Sequence, residues 1–388
     1  MIYYIGIDIS KYKHDCFITT ETDTVITQNL SFQNNKDGFN EFLNLLKSLD
    51  NSQEIRIGFE ATGHYHFNLM LFLEENGFSF MEFNPALVKK FISTTTLRRT
   101  KTDKKDASSI AKYLMSVNYK PYPKQFYHKY ALKSLTRRRE AFVHQRSYFK
   151  VELTNILDII FPEFKPFFSN SFSATALFIL STYKSAENIA NMNDYDSIRR
   201  ISRGKFSYSK FLKLKDLASN TVGLDSDIYT FQLDSLISLI DTMDKQISLI
   251  EIKISEIIHL LNPRCLSIKG IGNILCASIV AEFGDFNRFK SADACLAFAG
   301  LEPSTIQSGC AEHNGKMVKR GSPHLRASIM NAADFVFMHE PTFTIYYYKK
   351  RSEGKAHRVA LSHVAKKLVR VIYKIETSDI PFDSSKLK

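Results

Sequence analysis

What this chain lacks narrows the field before any motif is read. No apolar run approaches the length of a membrane span; the best, Ala174 to Leu180, is far too short. The N-terminus carries Asp8, Lys11, Lys13 and His14 where a secretory signal would need an unbroken apolar stretch, and the chain opens on Met1, so no processed form is expected. The five cysteines (Cys16, Cys265, Cys276, Cys295, Cys310) form no C-x-x-C pair and no metal-finger spacing. Scattered and odd in number, they read as small buried hydrophobes in a reducing cytoplasm. No Gly/Ser-rich linker follows Phe161-Pro162.

What is there suits a polyanionic partner. The 388 residues carry a formal net charge of +12, with 44% hydrophobic and 24% charged residues. That is room for a full core and two or three domains. A pI near 9.2 favours nucleic acid or an anionic membrane surface.

The stretch Met1 to Ser10 organises the N-terminal part. Tyr3, Tyr4, Ile5, Ile7 and Ile9 read as a buried strand interrupted by one carboxylate, Asp8. An ionised Asp in an apolar strand is costly unless a cation neutralises it, and a metal ion at the strand's end would do so. Such a strand also opens sugar-kinase and actin-like ATPases, but no second phosphate loop or adenosine motif is present further on. Cys16–Thr20 and Val25–Leu30 read as two further strands, and 35–49 as a helix. Ile55–Glu60 is expected as a fourth strand, 67–75 as a helix and Phe78–Phe83 as a fifth strand closed by Asn84-Pro85. Three strands and then alternating helix and strand is the order of a ribonuclease-H-like mixed sheet with helices on both faces. Strands one and four would then be neighbours, bringing Glu60 to Asp8; alone, Glu60 reads equally as a solvent-facing strand end.

Arg98-Arg99-Thr-Lys101-Thr-Asp103-Lys104-Lys105-Asp106 precedes a helix over 107–115. Asp103 and Asp106, three residues apart, would share a helix face, although Asp103 would also serve as an N-cap. Carboxylates set in a basic stretch suit phosphodiester chemistry, in which cations hold phosphates and carboxylates hold metal. Asp8, Glu60, Asp103 and Asp106 together match what two-metal phosphoryl transfer needs, Mg²⁺ with two ions per site.

Leu135, Phe142, Phe149 and Ile156 recur every seven residues in a long helix whose flank carries Arg137 and Arg138, ended at Phe161-Pro162. Leu233, Leu236, Ile240, Met243, Ile247, Ile250, Ile254, Ile257 and Leu261 form a heptad seam, the pattern of a coiled coil. We expect an antiparallel pair within the chain that also helps dimerise. Residues 163–222, between them, carry no assignable chemistry. Further on, Lys269-Gly270-Ile271-Gly272 lies between apolar segments as in a helix-hairpin-helix, whose glycines let backbone N–H groups approach a phosphate; a plain helix-helix turn fits equally. Ser308 sits before Gly309 in a polar loop, and Gly315, Lys316, Lys319, Arg320 and Gly321 make a basic hairpin. A helix from Leu325 carries Arg326 in its first turn. A Ser among Lys, Arg and Gly would be a nucleophile towards phosphate if a base or metal activates it; most loop serines only cap or turn. The stretch 357–373 reads as a basic amphipathic helix.

The motifs G-I-D-I-S, F-E-A-T-G-H-Y, R-R-T-K-T-D-K-K-D-A, G-I-G, A-G-L-x-P-x-x-x-x-S-G and K-R-G-x-x-x-L-R, in that order, resemble the DEDD-type insertion-sequence transposases related to the Piv invertases, which include the bridge-RNA-guided recombinases. The resemblance covers residues 1 to about 160 and 263 to about 350. It implies an α/β plus α architecture: a RuvC-like catalytic domain over 1–123, a coiled-coil region over 124–262 with a helical insertion near 163–222, and a mainly helical C-terminal transposase domain over 263–388. It implies that Asp8, Glu60, Asp103 and Asp106 bind Mg²⁺ and that Ser308 forms a covalent 5′-phosphoserine with DNA. It further implies donor and target double-stranded DNA, a structured non-coding guide RNA, and a tetrameric synaptic complex in which one subunit's metal site meets another's serine. The expected setting is the prokaryotic cytoplasm, at the nucleoid. Two rivals remain: a Mg²⁺-dependent, structure-selective junction endonuclease using water, and an RNA-binding scaffold with a decayed site.

Overall fold

The computed structural model describes residues 1–50, 52–61, 63–95, 103–122, 126–308, 311–318 and 321–386. It divides into two compact units, Met1–Lys129 and Tyr130–Lys388. Most of the long-helix region lies in the second unit, and the helix ends pack in that unit's cores.

In the first unit β1 (Ile2–Ile9), β2 (Lys13–Thr20) and β3 (Val25–Gln33) precede α1 (Lys36–Ser48), β4 (Glu54–Glu60), α2 (Phe67–Glu75), β5 (Phe80–Phe83), α3 (Pro85–Thr95) and α4 (Asp103–Ser116). The sheet order is β3-β2-β1-β4-β5, with β1 central. β1 runs antiparallel to β2 and parallel to β4, and β4 is parallel to β5. This arrangement is compatible with a ribonuclease-H-like domain. Helix α1 starts where Asn35 accepts a hydrogen bond from the Gly38 N–H at 2.9 Å. Its Phe42 stacks on Phe32 of β3 at 4.5 Å, and its Phe39 meets Phe72 of α2 at 5.0 Å, so α1 and α2 cover one face. Helices α3 and α4 cover the other, where Val88, Ile110 and Leu114 pack with Tyr4 and Phe83. Helix α3 is an addition to the expected elements: Asn84-Pro85 closes β5, but Pro85 is also a helix's first residue.

Gly6 fixes the second layer. A Cβ there would stand 2.3 Å from the Ala107 carbonyl oxygen and 2.4 Å from the Ala111 nitrogen. Helix α4 therefore lies with its backbone directly on β1, beside Phe17, Ala107 and Ala111, which form one buried cluster.

The second unit is built on two helices of 35 residues, α5 (Phe126–Ile160) and α11 (Asp227–Leu261). Arg139 pairs with Glu251 at 2.6 Å and Arg146 pairs with Asp244, a register that makes them antiparallel. On α11 the buried positions Leu233, Ile240, Ile247 and Ile254 fall seven apart, as the seam predicts. Between them lie α6 (Phe164–Phe167), α7 (Ala174–Tyr183), α8 (Ala186–Ala190), α9 (Tyr195–Ile201) and α10 (Tyr208–Ser219). Phe164, Ile179, Leu180 and Leu214 of this insertion form one core with Leu153, Leu157, Phe161, Leu233 and Ile240. The insertion is thus a helical cap on one end of the pair.

At the other end Leu132, Ile254 and Ile258 enter a second core with α12 (Asn273–Phe283), α13 (Ala292–Ala299), α14 (Pro323–His339), α15 (Pro341–Ser352) and α16 (His357–Ser378). A two-stranded antiparallel hairpin, β6 (Pro303–Ser308) and β7 (Ala311–Met317), precedes α14. Cys16, Cys265, Cys276 and Cys295 are buried, as expected, and Cys310 lies outside the described residues.

Gly6→Ala is expected to lower stability by about 2 kcal/mol or more, because a rigid backbone contact must open. Urea unfolding of the full chain checks this; an unchanged midpoint would contradict the close approach of α4 to β1.

Candidate functional site

The strand register brings two acids of the first unit side by side. Gly6 pairs with Gly58 and Ile7 with Phe59, so the next step sets Asp8 beside Glu60 at the parallel ends of β1 and β4. Residues side by side in a ladder share a face, and alternation puts Asp8 on the face of Gly6, which α4 covers. Ala107 lies at Gly6, while Ile110 and Leu114 reach back to Tyr4, so α4 runs against β1 and its first turn lies towards Asp8. That turn carries Asp103 and Asp106, where the positive end of the helix favours carboxylates. Asp106 is half-buried; the Asp103, Lys104 and Lys105 side chains, with Arg98, Arg99 and Lys101, lie outside the described residues. Among the described residues no three acids, histidines or cysteines already meet around one point. The donor set still fits a hard divalent cation: carboxylate oxygens alone, from two strand ends and a helix start.

The register also brings in a residue that sequence reasoning missed. Asp15 of β2 pairs directly with Asp8, on the same face as Phe17 and α4, and it is buried. Facing like charges are unfavourable, and Lys13, whose Nζ is 3.2 Å from the Asp15 carboxylate, offsets this pair. The signal is the alternation Lys13, Asp15, Phe17, which becomes legible only once β2 is paired. On the opposite face His14 is buried against Phe32, and burial pushes its pKa down to about 4, so it is neutral beneath the acidic end of β1.

In the second unit the expected residues separate into several roles. Ser308 is the last residue of β6 and pairs with Ala311, so it ends a strand at a hairpin tip rather than sitting in a loop. Its side chain and that of Lys316, which lies within β7, are outside the described residues, as are Gly309, Lys319 and Arg320. The G-I-G segment comes after a four-residue 3₁₀ turn, Arg264–Ser267, so only α12 flanks it as an α-helix. Gly270 is left-handed, and a Cβ there would meet the Phe335 carbonyl of α14 at 2.8 Å; its need for glycine is therefore met by packing. Gly272 opens α12 with clear space beside it, and Lys269 is exposed.

Arg137 is committed to Glu282: its Nε and Nη2 donate at 2.7 and 3.1 Å to that buried carboxylate, which also accepts from Ser322 Oγ at 2.8 Å. Burial pushes the Glu282 carboxyl up, but the Arg137 and Ser322 hydrogen bonds outweigh it and hold it below the ordinary range. Ser322 in turn caps α14 through the Leu325 N–H, and His324 Nδ1 lies 2.5 Å from Glu140 of α5. The segment joining the hairpin to α14 is thus tied to α5 and α12. Arg138 is exposed, over the Phe142 ring. Arg326 keeps its buried Nη1 without a hydrogen-bond partner among the described residues.

A transposase model of the IS110 DEDD type matches residues 5–162, and one described as "Transposase IS116/IS110/IS902 family" matches residues 262–348. The chain belongs to the IS110/IS116 transposase family. It is 25% identical over 384 residues to the pilin gene-inverting protein of Moraxella lacunata, covering 98% of this chain and 97% of that one. The pilin gene-inverting protein of Moraxella bovis matches with the same identity and coverage. The mini-circle putative transposase for IS117 of Streptomyces coelicolor is 22% identical over 381 residues, 93% of this chain and 90% of its own. As a member of that family the chain is a transposase, a DNA recombination enzyme, and DNA is its partner. Among the described residues, no helix is long and apolar enough to cross a membrane.

Arg137→Met strands the Glu282 charge, and is expected to cost about 2 kcal/mol at neutral pH, less than a fully buried pair because the guanidinium is 43% exposed. Glu282's carboxyl lies low when folded, so its pairing contributes above the ordinary carboxylate range and is lost as pH falls through it. The gap between wild type and variant should therefore shrink on acidification; a pH-independent gap in urea unfolding would contradict this role.

Proposed function

We propose that this transposase cleaves and rejoins DNA with the Ser308 hydroxyl as nucleophile, beside divalent cations held by Asp8, Glu60, Asp103 and Asp106. The observation that carries the reading is the register of β1 on β4, which sets Asp8 beside Glu60 under the acid-bearing first turn of α4. Bound Mg²⁺ would supply charge neutralisation at the phosphate and lower the pKa of a nearby hydroxyl.

The chain's own residues account for the rest. Ser308 Oγ bonds to phosphorus, the bond from phosphorus to the 3′ oxygen breaks, and the serine proton passes to that leaving oxygen. The product is a 5′-phosphoserine and a free 3′-hydroxyl, and reversal with another strand's 3′-hydroxyl rejoins DNA without an external energy source. The exposed Lys269 beside the open Gly272 is suited to contacting phosphates. The reading requires acids and serine, from one copy or from two, to meet at one phosphodiester. Dimers joining in a tetrameric synapse, and a structured RNA pairing with donor and target, complete the proposal.

The test is a suicide substrate resolved on a denaturing gel. Wild type should give a protein–DNA adduct that requires Mg²⁺ or Mn²⁺. Ser308→Ala should lose it at least a thousandfold, and Asp8→Asn should lose both the adduct and strand cleavage. Cleavage by Ser308→Ala at the wild-type rate, with free 5′-phosphate ends, would favour a water-using junction endonuclease instead.

A further inference from the structure

The stretch from the end of α15 through most of α16 has no role in the reaction above, yet it is the most strongly basic part of the chain's last helices. Between residues 349 and 374 nine lysines and arginines stand against one acid, Glu353, a local +8 of the chain's +12. On α16 His363, Lys366, Lys367, Arg370 and Lys374 succeed one another at spacings of one, three and four residues, a single stripe about 17 Å long. Lys349 and Lys355, at the end of α15 and just after it, extend it. Their proximity shows in their mutual repulsion. Burial and then Lys366, Lys350 and Lys355 lower the pKa of His363, burial and then Arg370 lower Lys366, and burial and then Lys349 lower Lys367.

Little within the molecule neutralises this stripe. Glu353 pairs with Lys350 at 2.8 Å and Asp293 with Arg370 at 3.1 Å. Glu376 is turned to the Cys265 N–H at 2.7 Å, and Asp379 to Arg264 at the same distance. Among the described residues no carboxylate lies within ion-pair distance of Lys349, Lys355, Lys366, Lys367 or Lys374. Holding like charges together costs stability unless a partner repays it.

The surface also indicates what kind of partner would do so. On α16 Val364, Ala365, Leu368, Val369 and Ile372 are buried in the core, and the exposed Ile345 and Tyr348 of α15 and Val359 of α16 do not make the broad apolar face that seats a helix in a bilayer. The face of Tyr346 is covered by Lys367 at 4.8 Å and Lys350 at 5.5 Å, so it is no platform for a base. Cations in line on a rigid helix match a row of phosphates.

We propose that α16, with the end of α15, is a sequence-independent docking surface for the sugar-phosphate backbone of duplex nucleic acid. The partner's class rests on the functional reading above; the location rests on the stripe alone. The test is fluorescence anisotropy of the full chain with an arbitrary-sequence DNA duplex and the matching RNA duplex over a range of salt. The triple variant K349Q/K366Q/K374Q should bind at least tenfold more weakly, with a salt slope shallower by about 2–3. Scrambling the sequence should not change the loss, and whichever duplex loses more is the natural partner. K349R/K366R/K374R should keep the wild-type slope, separating lost charge from lost fold. A glutamine variant within twofold of wild type, with an unchanged slope, would overturn the stripe alone. Wild type binding neither duplex would overturn the functional reading as well, and wild type binding phosphatidylserine vesicles but not duplexes would assign the stripe to a membrane.

Discussion

The missing side chain at Gly6 is the constraint on which the acidic site depends. Without a Cβ between them, the backbone of α4 rests on β1, and its first turn lies towards the end of that strand. Any larger residue would lift the helix and carry Asp103 and Asp106 away from Asp8 and Glu60. The cost of gathering carboxylates is met locally in two ways: the helix N-terminus favours negative charge, and Lys13 faces Asp15. A divalent cation would complete that balance.

The second unit applies a different principle. Its hairpin, which ends β6 at Ser308, is short and has few apolar residues to hold it. The segment between the hairpin and α14 is anchored by polar ties: Arg137 and Ser322 on Glu282, and Glu140 on His324. These ties run to α5 and α12, whose ends are sunk in a large apolar core. The nucleophilic role proposed for Ser308 would need such a frame, because a misplaced hydroxyl loses much of its reactivity.

Much of this is legible in the sequence, for identifiable reasons. β1 and β4 are apolar runs that end in one acid each, and the sheet order derives from three strands preceding the first helix. The seven-residue spacing from Leu233 to Ile254 is repeated as burial. Other features depend on pairing that no local pattern encodes. Asp15 becomes part of the acidic face only through its partner Asp8, and Arg137 reads as a free cation in the sequence because its partner is 145 residues away. The G-I-G segment suggests two flanking helices, yet Gly270 is required by the backbone of α14 and the preceding segment forms only a 3₁₀ turn. Helix α3 is hidden by a proline that reads as a terminator when it is also an initiator. The insertion over 163–222 looks featureless because its Phe and Leu residues serve a cap rather than chemistry.

The most direct measurement of the central claim is anomalous diffraction from crystals of the chain grown with Mn²⁺. Manganese is expected between the C-terminal ends of β1 and β4 and the first turn of α4, with Asp8 and Glu60 among its ligands. A peak elsewhere in the molecule, with none at those strand ends, would contradict it.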